Sequence, residues 1–167
     1  MKTATLILRI FAVIMSIVMM ILIFNFSADD AEESGKKSEE VTEKIVQTVD
    51  PAIVEKPIEE QKQVYESVGA YVRRAAHFLE FSALGFFTSL MVNTIYPDLS
   101  KRILIPLVCG ILYAVIDEVH QIFVPGRACE FVDILIDTLG VSVGILISIA
   151  IFAIIKRFLS KKERKSY

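Results

Sequence analysis

The chain has 167 residues, 54% of them hydrophobic, and a mean hydropathy of +0.56. One soluble core of this length cannot enclose so much apolar surface, so the composition excludes an ordinary water-soluble domain and points to a membrane protein. The net charge is only −2, yet the charges are segregated into residues 28–74, two short connectors and the C-terminus, with no basic patch of the kind that binds nucleic acid.

An apolar run from about residue 6 to 26, broken only by Arg9, is long enough to cross a hydrocarbon core, which takes about 20 residues. It exceeds the core of a secretory signal and no A-x-A site follows it, so an uncleaved anchor is expected. Residues 28–72 then carry twelve acids against five lysines. Val41, Ile45 and Val49 recur at spacings of four, and Pro51 and Pro57 interrupt the pattern. This reads as one or two amphipathic helices on the membrane surface or on the bundle, outside the cytoplasm.

Three more spans are predicted at about residues 75–95, 103–123 and 131–155, joined by the connectors YPDLSKR (Tyr96–Arg102) and VPGRACE (Val124–Glu130). Short connectors make consecutive spans antiparallel neighbours. Pro106 is expected in the first turns of the third span, where a missing N–H is tolerated. The fold class is therefore all-α: one integral membrane domain over residues 1–167, a bundle of four transmembrane helices with an acidic extracytoplasmic segment after the first. Lys2, Arg9, Lys101, Arg102 and the basic C-terminus through Lys165 predict cytoplasmic termini, with Arg73 and Arg74 as the exception. Cys109 and Cys129 differ in depth, so no disulfide is expected, and Cys129 reads as a small connector residue.

The polar residues of the spans gather toward one face. At about 1.5 Å per residue, Glu80 lies about 8 Å below the outer end of its span, Asp117 about 9 Å, and Asp133 and Asp137 about 3 and 9 Å. Arg73, Arg74, His77, Glu80 and Phe81 share one helical stripe. Asp117, His120 and Gln121 share a second, with Glu118 turned about 100° away and read as structural or headgroup-facing. Asp133, Asp137, Gly140 and Gly144 form a third, whose glycine pair permits close helix approach. Ionisable groups at such depth mark a functional site or a salt-bridge network. Phe86 and Phe87 read as packing or lipid-facing residues.

The segments RRAAHFLEFSALG (Arg73–Gly85), DEVHQIFVPGR (Asp117–Arg127) and DILIDTLGVSVG (Asp133–Gly144) resemble the VanZ-like family of bacterial membrane proteins. The end of the first span, FNFSADD, with Ser34 and Ser38 beyond it, is similar as well. The resemblance implies a cell-envelope protein in a family named for resistance to the lipidated glycopeptide teicoplanin. It marks Arg74, His77, Glu80, Asp117, Glu118, His120, Gln121, Arg127, Asp133 and Asp137 as the shared polar positions. The ACE after Arg127 departs from the small residues expected there.

Two function classes compete. The first is a site at the outer membrane–water boundary that binds or modifies an amphipathic envelope molecule, such as a lipid-linked wall precursor or a lipoglycopeptide. Arginines would take its phosphate or carboxylate and the spans its tail. The second is an intramembrane enzyme in which His77 and the acids hold a divalent metal, Mg²⁺ or Mn²⁺ by their oxygen ligands, or act as acid and base. No HExxH, Gly-rich phosphate loop or GxSxG supports a known catalytic class. A proton-coupled carrier would need polar groups continuing to the inner half, which reads as apolar apart from Arg9. A structural subunit held by salt bridges is the remaining alternative.

Overall fold

The computed structural model describes residues 2–164, with side chains described for residues 3–157; Lys165 lies outside the described residues, as do the side chains of Lys2, Lys161, Lys162 and Arg164. The described residues form five α-helices and no strand: α1 Lys2–Ser27, α2 Ala31–Val49, α3 Ile58–Asn93, α4 Leu99–Gln121 and α5 Phe131–Arg164, with a 3₁₀ turn at Pro51–Glu55. Helices α1, α3, α4 and α5 are long and apolar enough to span a membrane. Their outward faces present large apolar side chains, among them Ile14, Ile21, Leu112, Leu139 and Leu146. In a bilayer these meet acyl chains, which is why exposure here costs nothing.

The antiparallel order follows from contacts at both ends. At one end Ser27 of α1 meets Asp117 of α4. At the other, Arg9 of α1 donates to Thr94, the C-cap of α3, through Nε to Oγ1 (3.1 Å) and Nη2 to the carbonyl (2.9 Å). A cation on the free carbonyls of a helix C-terminus satisfies groups that the helix cannot. The interior between the ends is filled by Ile23, Phe81, Leu84, Ala114, Val141 and Ile145.

Helices α3 and α5 approach most closely, because glycines replace side chains along their crossing. A Cβ on Gly144 would stand 1.9 Å from the Ser82 carbonyl oxygen, and one on Gly140 2.5 Å from that of Phe78. Across the same seam, a Cβ on Gly85 would be 2.4 Å from the Val141 carbonyl oxygen. The expected glycine pair is thus answered by a third glycine on the partner helix.

The structure departs from the sequence reading in four places. Of the one or two amphipathic helices expected before the second span, α2 forms separately, while the stretch from Ile58 is part of α3, which runs unbroken for 36 residues, about 54 Å against a hydrocarbon thickness of about 30 Å. Pro51 and Pro57 do interrupt the helical pattern: they bracket the 3₁₀ turn, and Pro57 caps the start of α3. Helix α2 packs on α3 through Thr42 and Val46, while Val41, Ile45 and Val49 stay exposed. The small Thr42 stands beside Gly69, so fit outweighs the apolar stripe there. Pro106 lies two turns inside α4, because Asp98 caps the helix and starts it at Leu99. Finally, the opposite end of the bundle is not apolar. Asn93 is buried, receives a hydrogen bond from Arg102 and donates to Ser148 at 3.3 Å.

Candidate functional site

The end of the bundle that carries the 28–30 and 122–130 connectors holds the polar residues. Val124, Pro125, Gly126 and Arg127 make a tight turn, closed by the Arg127 N–H on the Val124 carbonyl at 3.1 Å. Proline second and a positive-φ glycine third (Gly126, φ 73°) are the residues that a type II turn requires. The Ala31 N–H reaches the Pro125 carbonyl at 3.3 Å, which docks this turn on the start of α2. Arg127 is thereby held over the bundle end.

Glu118 sets the other side of the connector. It is 1% exposed, and its carboxylate accepts the Glu130 N–H at 2.8 Å. It does not face headgroups: the 100° turn away from Asp117 points it toward α5, where an acceptor is needed for the backbone entering that helix. The Cys129 thiol has its pKa pushed up, by desolvation first and then by the Glu118 carboxylate beside it. That speaks against a thiolate nucleophile.

Arg74 crosses from α3 to α5. Its Nε donates to Asp133 at 2.8 Å and its Nη2 to Glu130 at 2.5 Å. Arg73 and Arg127 form no ion pair among the described residues. Both line a cavity of about 170 Å³, open at the bundle end, together with Arg74, His77, Asp133 and Asp137. The cavity is large enough for several waters or a small anionic group.

Below the arginines, three helices converge. One nitrogen of His77 and one oxygen each of Asp117 and Asp137 lie within 4.8 Å of one another. Asp117 is 3% exposed; its Oδ2 accepts from Ser27 Oγ (2.6 Å) and Gln121 Nε2 (3.3 Å). Among the described residues its Oδ1 has no hydrogen-bond partner, and neither does Oδ1 of Asp137, which is 1% exposed.

Of the sequence-derived positions, the structure brings Arg74, His77, Glu118, Gln121, Arg127, Asp133 and Asp137 to the cavity wall, with Asp117 behind it. Glu80 is half-buried and makes no hydrogen bond among the described residues. His120 turns to α1, its ring 4.5 Å from that of Phe24. Arg73, read in the same stripe as Arg74, is also in the wall, and two further participants were not marked: Glu130 on Arg74 and Ser27 on Asp117. Ser27 lies just past the predicted end of the first span, so helix rise alone gave no reason to pair it with Asp117. Nothing in the sequence tells Arg73 from Arg74.

These features define a four-span α-helical membrane protein with an arginine-lined cavity over a buried histidine–carboxylate cluster. The family model described as VanZ/LLP1 matches residues 11–155, and the chain belongs to that family. No curated protein and no solved structure matches the chain.

Proposed function

We propose that the cavity binds the anionic headgroup of an amphipathic cell-envelope molecule at the outer face of the membrane, with both termini in the cytoplasm. The observation that carries this reading is the pair Arg73 and Arg127, two guanidinium groups facing one cavity with no carboxylate on either. Arginine that is spared internal pairing is suited to phosphate or carboxylate, which it grips through parallel N–H donors. The apolar flanks of α3, α4 and α5 continue from the cavity into the bilayer, where an acyl or prenyl tail would lie. Lipid-linked wall precursors and lipoglycopeptides such as teicoplanin both have this build. Arg74 acts differently: tied to Asp133 and Glu130, it fixes the wall.

The test is binding of a short-chain prenyl phosphate to the purified protein in phosphatidylcholine nanodiscs, with inorganic phosphate and the matching prenyl alcohol as the other arms. Saturable binding of the prenyl phosphate alone, lost in a folded Arg73→Gln/Arg127→Gln double variant, is the expected result. Equal binding by wild type and the double variant would refute it. A second reading, an intramembrane enzyme, is favoured by the His77–Asp117–Asp137 cluster, because each carboxylate keeps a buried oxygen without a hydrogen-bond partner among the described residues, poised for a ligand.

A further inference from the structure

We infer that His77, Asp117 and Asp137 bind one divalent transition-metal cation at the floor of the arginine-lined cavity. Each residue comes from a different helix, α3, α4 and α5, and each offers one ligand atom to a common point, all within 4.8 Å of one another. Around a cation with ligand bonds of about 2.0–2.2 Å, neighbouring ligands sit about 3 Å apart and opposite ones about 4.2 Å. With separations of at most 4.8 Å, the cluster closes on a cation by side-chain shifts of less than about 2 Å.

Two independent features point to a ligand. Oδ1 of Asp117 and Oδ1 of Asp137 are both buried without a hydrogen-bond partner, in side chains 3% and 1% exposed. Two carboxylates enclosed so completely, with only Ser27 and Gln121 donating to one of them, are costly unless a cation joins them. Arg74 is committed to Asp133 and Glu130, and no ion pair reaches Asp117 or Asp137 from a Lys or Arg among the described residues.

The donor set selects the metal. One imidazole with two carboxylates suits Mn²⁺, Fe²⁺ or Zn²⁺ better than Mg²⁺, which takes oxygen ligands and gives up water reluctantly. This narrows the sequence reading: Asp133 belongs to Arg74, and Glu80 lies outside the cluster. His77 and Asp137 also line the cavity, so the open coordination positions face Arg73 and Arg127. Ser27 positions Asp117 by donating to Oδ2, which leaves Oδ1 for the metal, as outer-shell partners of metal carboxylates do. The meaning of the cation for a phosphate headgroup rests on the headgroup reading above; its binding does not.

The experiment is a Mn²⁺ titration of the full chain, stripped with chelator and reconstituted in phosphatidylcholine nanodiscs, which carry no anionic lipid to bind the metal. Loss of the six-line electron paramagnetic resonance signal of free Mn²⁺ is the readout. One saturable Mn²⁺ per chain is expected. His77→Gln and Asp137→Asn should abolish it, and Ser27→Ala should weaken it by about 10-fold, in the range of outer-shell losses. Glu40→Gln, on the exposed face of α2, should leave it unchanged. Absence of saturable binding by wild type overturns the assignment even if a variant fails to fold. So does wild-type affinity in folded His77→Gln and Asp137→Asn. Prenyl phosphate binding measured in chelator separates the readings, because it depends on the arginines and not on the metal.

Discussion

Replacing Gly144 by alanine tests the helix crossing on which the whole site depends. The new methyl would stand 1.9 Å from the Ser82 carbonyl oxygen, 2.7 Å from the Phe86 nitrogen and 2.9 Å from the Ser82 carbonyl carbon. All three are backbone atoms, so no side chain can rotate away. Ordinary contact begins near 3.4 Å, and α3 and α5 must part by roughly 1.5 Å in a close-packed interior. Overpacking of this kind costs about 1–3 kcal/mol or more. Alanine regains up to about 1 kcal/mol of helix propensity in water. That offset is smaller where the bilayer already imposes the helix. The net expectation is destabilisation by about 2 kcal/mol, roughly a thirty-fold change in the folded ratio. Reversible unfolding by SDS in mixed micelles, followed by helical circular dichroism, measures it. Gly35→Ala serves as the control, since a Cβ there meets nothing within 4 Å. If Gly144→Ala unfolds together with wild type and Gly35→Ala, the close approach is wrong, and with it the convergence of His77 and Asp137.

Arg74→Ala should destabilise the fold by about 1–2 kcal/mol in the same assay, at the low end for a charged pair because Arg74 and its partners remain partly exposed. Cys129, though exposed, should react with a membrane-impermeant maleimide at pH 7 more slowly than a free thiol, because a raised thiol pKa means less thiolate; Glu118→Gln should accelerate it. Labelling from outside intact cells would agree with cytoplasmic termini, and labelling only after inversion of the membrane would contradict them. Arg9→Leu should lower stability by about 1–2 kcal/mol, since two hydrogen bonds to the end of α3 are lost; wild-type stability would show that the end needs no cation.

The spans were legible because a bilayer demands long apolar segments and the connectors are short. The polar end was legible for the same reason: ionisable residues stand out against such a background, and helix rise alone puts Asp117 and Asp137 at one depth. Rotation about the axis was harder. Stripe arithmetic puts His120 with Asp117, and both do meet α1, at Phe24 and Ser27, but His120 lies outside the cavity wall, which helix phase alone does not tell. Glu118 was set aside because it is out of phase with Asp117, although α4 packs against more than one helix and its second face is also buried. The length of α3 escaped because residues 58–72 are too polar for a span, and helicity beyond the membrane leaves no hydrophobic signature. Which arginine stays unpaired depended on Glu130, a loop residue whose place is set by the Glu118 hydrogen bond.

That unbroken α3 makes the outer segment and the buried histidine parts of one rod. Ile58 lies 24 residues from the Ser82–Gly144 crossing, about 36 Å, and His77 only five, about 7.5 Å. If the crossing acts as a pivot, a sideways load of a few ångströms at the free end reaches His77 as a displacement of under about 1 Å, a distance that matters to a coordination site. The acidic platform around α2 would then be a handle on the site below, and a proline at Ser67 would disconnect it.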